Sequence, residues 1–220
     1  MPFNPLTVLA FALFALVSLI LLQIGIFTLA FDKLGLSADS AMLLLFASLL
    51  GSTINLPLFR IKASAADGVT LTPRILRLLK VPLPPFEGYT TIALNVGGGL
   101  IPVIFSLYLL RHTEINGSDA LLATALVASV SYFFSRPVAG IGVAMPLLIA
   151  PLAAAIIALI IDTEHSAPLA YIAGTLGVLI GADLLRLGDI KKMGTPIAAI
   201  GGAGTFDGIF ITGIVAALLA

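Results

Sequence analysis

Along this chain long apolar runs alternate with short polar ones, and the runs have the length of a bilayer rather than of a soluble core. They fall at roughly residues 6–31, 40–59, 89–110, 120–134, 145–161, 169–187 and 202–220. About 20 apolar residues carry a helix across a membrane. The pattern therefore predicts an all-α polytopic membrane protein, one integral domain over 1–220, with about seven transmembrane helices; six or eight are the alternatives. The fourth and fifth runs are short, and "SRPVAGIGVAMP" between them predicts a broken or re-entrant turn. The opening "MPFNPL" lacks basic residues, and the run from Leu6 to Phe31 is longer than the core of a cleavable signal, so it is expected to be a first transmembrane helix.

Composition agrees with the pattern. Sixty per cent of the 220 residues are apolar and 10% are charged, and the mean hydropathy is +1.17. That leaves too little polar surface to cover a globule in water. The net charge is zero and no basic arm is present, which excludes a nucleic-acid-binding class. With no cysteine there is neither a disulfide nor thiol chemistry. His112 and His165 fall in short polar loops, so no metal site and no cofactor are expected.

Charge orients the spans. If seven alternate, the connections 60–88, 135–144 and 186–195 share one side. They hold Arg60, Lys62, Arg74, Arg77, Lys80, Arg136, Arg186, Lys191 and Lys192, nine of the eleven basic residues. The other side receives Lys33, Arg111, both histidines and the acidic "DTEH". The positive-inside rule then predicts a cytoplasmic N-terminus and an external C-terminus in a cell inner membrane. Connection 60–88 contains "TPRILRLLK", a proline behind a threonine cap with apolar residues at helical spacing; this predicts an amphipathic helix on the lipid surface.

Polar residues inside apolar runs are the candidates for function, because polarity facing lipid is disfavoured. Asn55 and Pro57 stand in "GSTINLPLF", and Asn95 precedes Gly97, Gly98 and Gly99 in "NVGGGLIP". Asp183 follows Gly181 in "LIGADLLRLGD", and Asp207 sits among Gly202, Gly204 and Gly208 in "GGAGTFDGIF". With the last helix starting near Gly202, Asn55, Asn95, Asp183 and Asp207 all lie roughly 7–9 Å below the cytoplasmic boundary, at about 1.5 Å per residue. A helix starting at Pro196 would put Asp207 out of register; the glycines favour the later start, with "TPIAAI" as an apolar strand or extended loop. Simpler roles are open to each residue. Asp207 would serve as a helix cap, Asp183 as a partner for Arg186, and Asn95 as part of a kinked, closely packed helix; Asp189, beside Lys191 and Lys192, reads as an ordinary loop charge.

Two carboxylates in one low-dielectric pocket do not both ionise cheaply, and a pair sharing a proton supplies a general acid beside a general base. Glycines let backbone approach a substrate closely. The arrangement resembles the intramembrane aspartyl proteases of the presenilin and signal peptide peptidase group, which carry one aspartate in a sixth span and a second in a glycine-rich motif opening a seventh. The resemblance covers residues 170–220 and implies Asp183 and Asp207 as the catalytic pair. Its partners would be transmembrane peptide substrates and the lipid bilayer, with a homo-oligomer as an option. Ala182 stands where that group has tyrosine, and the second motif is two residues longer. Over its whole length the chain is similar to an uncharacterised prokaryotic membrane-protein family, through "LNVGGGLIP", "IGADLL" and "GGAGTFDGIF". The competing expectations are a small ion- or proton-coupled transporter using the same Asp/Asn layer and a non-enzymatic polar cluster that locks helix packing.

Overall fold

The computed structural model describes residue 16 and residues 26–64, 88–138, 142–202 and 208–220. Most of the first predicted span and the amphipathic helix predicted within 60–88 lie outside the described residues.

The fold is mostly helical, with two small sheets. In chain order it comprises α1 (Ile26–Lys33), α2 (Ala38–Gly51), β1 (Asn55–Lys62), β2 (Tyr89–Asn95), a π-helical segment (Val96–Leu100) running into α3 (Ile101–His112), and α4 (Gly117–Phe134). A short hairpin, β3 (Arg136–Val138) and β4 (Gly142–Ala144), leads to α5 (Ile149–Ile161) and α6 (Ser166–Val178). A second π-helical segment (Leu179–Leu184) extends α6 and is followed by α7 (Leu187–Ile190), β5 (Ile197–Ile200) and α8 (Gly208–Leu219). Two helices, 117–134 and 166–190, are long and apolar enough to cross a bilayer.

The strands correct the all-α expectation, and they do so at two of the predicted spans. The run 40–59 is helical only as far as Gly51. There Ser52 Oγ donates to the Leu49 carbonyl at 2.8 Å and Thr53 Oγ1 to that of Leu50 at 2.7 Å, which satisfies carbonyls the helix leaves open. Pro57 follows, and proline has no N–H for a helix interior or a central strand. Accordingly "NLPLFRIK" is an edge strand, exposed along almost its whole length, with its register broken between Pro57 and Phe59. The run 89–110 likewise opens as a strand, because Thr90, Thr91 and Ile92 are β-branched and suit a pleated surface. β2 is the centre of the three-stranded sheet, antiparallel to β1 and parallel to β5. The segment "IAAI" is a strand, and the last helix is described from Gly208; whether it starts near Gly202 lies outside the described residues. "SRPVAGIGVAMP" becomes the β3–β4 hairpin.

The core is built around α6, which is buried on nearly every side. Small residues let its neighbours close in. Gly177 lies against Val127, Gly181 against Ala128 and Ser131, and Gly174 against Ala154, Thr212 and Ala216. Phe105 meets Tyr171 edge to face, with ring centroids 5.0 Å apart. These contacts fix directions: α4 runs parallel to α6, and α3, α5 and α8 run against it. Two ends follow. One holds both π-helical segments, the sheet and the hairpin; we call it the site end. At the other, Ser166 Oγ donates to the Ala220 carbonyl at 3.1 Å and Lys33 Nζ to that of Leu218 at 3.3 Å.

Of the basic residues among the described residues, Arg60, Lys62, Arg136, Arg186, Lys191 and Lys192 lie at the site end, and Lys33 and Arg111 at the far end. Acidic groups show the opposite bias. At the far end Asp162 closes the turn from α5 into α6, its Oδ1 accepting from the backbone N–H groups of Glu164 and His165, each at 3.0 Å. The His165 N–H foremost, then the His165 ring at 3.1 Å, hold this carboxyl below its ordinary pKa. A depressed folded value gives stability that is present above the unfolded pKa and lost as pH falls through the folded one. Asp162→Ala is therefore expected to cost about 1 kcal/mol at neutral pH and nothing at pH values well below about 4, as read by paired thermal melts.

Candidate functional site

Asn95 stands at the junction of β2 and the first π-helical segment, fully buried. Its Oδ1 accepts from the Gly98 N–H at 2.7 Å, capping that segment. Its Nδ2 donates to the Ser52 carbonyl at 2.7 Å and to Asn55 Oδ1 at 3.0 Å. Asn55 lies directly opposite in the β1–β2 register, although it is exposed. One side chain thus ties the end of α2, the edge strand and the broken helix together. Asn95→Ala leaves a buried carbonyl and a buried N–H without their partner, so a loss of about 2–3 kcal/mol is expected in denaturant or thermal unfolding. A loss below about 0.5 kcal/mol would remove Asn95 as the organiser of this junction.

The glycines after Asn95 are placed for contact. At Gly97 a Cβ would overlap the backbone of Ser48 and Ser52 in α2, so no larger residue fits that crossing. Gly98 and Gly99 face Gly201, in the turn after β5. Gly201 has φ +78°, and its missing Cβ would stand 2.5 Å from Gly99 N and 2.7 Å from the Gly98 carbonyl carbon.

Asp183 completes the group from the other broken helix. It is half-buried in the second π-helical segment, and its Oδ2 accepts from the Gly201 N–H at 3.1 Å. Asn55, Asn95, the triple glycine, Gly201 and Asp183 therefore form one continuous cluster at the site end. Gly202 continues the Gly201 turn with φ +92°, and Gly181 packs on α4 two residues before Asp183. Pro57 sits further out, on exposed β1. Asp207 and Gly204 lie outside the described residues, and Gly208 is the first residue of α8.

A second feature had little sequence signal. Arg186, three residues beyond Asp183, donates to the carbonyls of Tyr132 and Ser135 at 2.7 and 2.9 Å, to Ser135 Oγ at 3.3 Å and to Asp189 at 3.0 Å. Its guanidinium also lies 4.1 Å from the centroid of the Tyr132 ring. Arg186 thereby satisfies the last carbonyls of α4 and clamps the π-helical segment to it. Asp189, expected as a loose loop charge, is one of its partners. Only the short spacing of Arg186 and Asp189 hinted at this.

A family model described as a protein of unknown function (DUF1614) matches residues 49–219. The chain belongs to this family. The matched region runs from the end of α2 to the end of α8 and takes in every residue of the cluster. No curated protein and no solved structure matches the chain.

Proposed function

We propose that this DUF1614 member is a seven-span membrane protein in which Asp183 and Asp207 act as an aspartyl-protease-like dyad, hydrolysing peptide bonds of transmembrane segments near the cytoplasmic face. The observation that carries this reading is the hydrogen bond from Gly201 to Asp183, made six residues before Asp207. A second contact supports it. Ile209 packs with Val178 and Ala182, the latter next to Asp183. Ile209 is two residues from Asp207, so the chain allows at most about 7 Å between their Cα atoms.

Embedding in a bilayer is supported by large apolar side chains left bare around the helices, among them Leu43, Leu107, Leu121, Phe133, Ile156 and Ile160. The basic bias of the site end supports a cytoplasmic site and N-terminus in the inner (plasma) membrane of a prokaryotic cell. In the reaction, one carboxylate takes a proton from water as its oxygen attacks the scissile carbonyl carbon. The other, protonated, gives its proton to the carbonyl oxygen. Collapse of the resulting diol breaks the C–N bond and passes a proton to the departing amine, leaving the dyad with one proton again.

A second reading, a small ion- or proton-coupled transporter, is favoured by the close approach of the first π-helical segment, at Gly98 and Gly99, to the Gly201 turn, which in turn donates to Asp183 of the second π-helical segment. Reconstitution into liposomes separates the two. New fragments of a co-reconstituted transmembrane peptide, found by mass spectrometry, support the protease. An intact peptide together with solute flux driven by a pH or Na⁺ gradient overturns it in favour of transport.

A further inference from the structure

Two arginines meet the end of α4, and their surroundings differ. Arg186 is fully engaged, as described above. Arg136, two residues beyond the helix, is exposed, and no carboxylate among the described residues lies within ion-pair distance of it. It stands on the rim of an open cavity of about 580 Å³ lined by Phe133, Phe134, Ala144, Met145 and Pro146. Apart from Arg136 the lining is apolar. Phe133 is 82% exposed, and its ring meets that of Phe134 edge to face at 6.4 Å. Bare aromatic rings beside an open cation, at the end of an apolar helix of 18 residues, match the composition of the bilayer interface, where acyl chains give way to headgroups.

We propose that this cavity binds one anionic phospholipid, its phosphate on the Arg136 guanidinium and the start of an acyl chain over Phe133, Phe134, Met145 and Pro146. The planar guanidinium offers two parallel N–H donors to a phosphate. A second copy of this chain fits less well, because the acidic groups described at this end are engaged: Asp183 binds Gly201 and Asp189 binds Arg186. Among the described residues no carboxylate neutralises Arg136, and a lipid phosphate supplies that charge. This inference rests on the membrane half of the reading above and is independent of the aspartate dyad.

The test is titration of the detergent-solubilised full chain with phosphatidylglycerol and with phosphatidylcholine, read by native mass spectrometry. One phosphatidylglycerol is expected to bind roughly five-fold tighter than phosphatidylcholine, the effect of one cation near anionic headgroups. Arg136→Gln should abolish that preference while leaving the lipid-free melting temperature unchanged. Phe133→Ser with Phe134→Ser should weaken both lipids alike. The proposal is overturned if the wild type shows no preference, if Arg136→Gln keeps it, or if a lipid-free dimer forms in which Phe133 cross-links to the second copy. A chain that stays dissolved without detergent and fails to partition into vesicles overturns the membrane reading itself, a separately observed result.

Discussion

Asp183→Asn is expected to abolish cleavage of a reconstituted transmembrane peptide while melting close to the wild type. Asparagine keeps an oxygen that accepts the Gly201 N–H, so the junction between the second π-helical segment and the β5 turn survives. It cannot take up or release the proton that hydrolysis needs. Asp183→Ala removes both properties and should lose activity and also melt lower, by about 1–2 kcal/mol for the lost charge-assisted hydrogen bond. Asp207→Ala should fall to the same background, a decrease on the order of 10²–10⁴-fold for loss of general acid–base work. Because the two carboxylates would act as a unit, the double variant should be no worse than either single one. Cleavage that persists in Asp183→Asn would rule out the dyad. Additive losses would also count against it, since independent sites add and a shared proton does not.

Gly201→Ala carries a large expected structural effect. The position combines a left-handed backbone, which costs about 1–2 kcal/mol for a side chain, with a Cβ only 2.5 Å from backbone that cannot swing aside. Overpacking of this kind adds about 1–3 kcal/mol, so the variant should lose about 3–4 kcal/mol or fail to accumulate. Gly188→Ala is the matched control, because a Cβ there meets nothing within 4 Å. Equal melting of the two variants would mean that the approach of the β5 turn to the first π-helical segment is loose. Graded loss of activity at Gly201, exceeding the loss of folded protein, is expected if that approach sets the geometry around Asp183.

The helices of this fold are largely legible in the sequence because length and apolar content carry them. The runs 120–134, 145–161 and 169–187 each contain a helix. Strands inside apolar runs are harder. "NLPLFRIK" and "YTTIALN" begin inside or at the edge of long apolar runs, and a short apolar stretch does not by periodicity alone separate strand from helix; Pro57 and the Thr90–Thr91–Ile92 cluster were the available cues. The sequence singled out Asn55, Asn95 and Asp183 as polar residues in apolar runs, and the structure brings these three to one end of the fold. The bonds of Asn95 to both Ser52 and Asn55 follow from a strand register that a helical reading lacks. That Asp183 accepts the Gly201 N–H has no residue-type signature, and neither have the π-helical segments. Asp207 keeps the standing its motif gives it, resting on the short chain distance to Gly201 and Ile209.

Parallel pairing of β2 with β5 has a consequence for how the molecule is made. Thr91 to Leu94 bond with Ile197 to Ile200, so about a hundred residues must be synthesised after β2 before its second partner exists. At ribosomal rates of about 5–20 residues per second, β2 waits roughly 5–20 s with one edge open. Throughout that interval α3 to α6 are made while the cluster around Asp183 remains incomplete. A nascent chain, or a product truncated before Ile197, therefore lacks the third strand of the sheet and the Gly201 turn that binds Asp183. The order of the elements makes synthesis through Ile200 a condition for assembling the cluster.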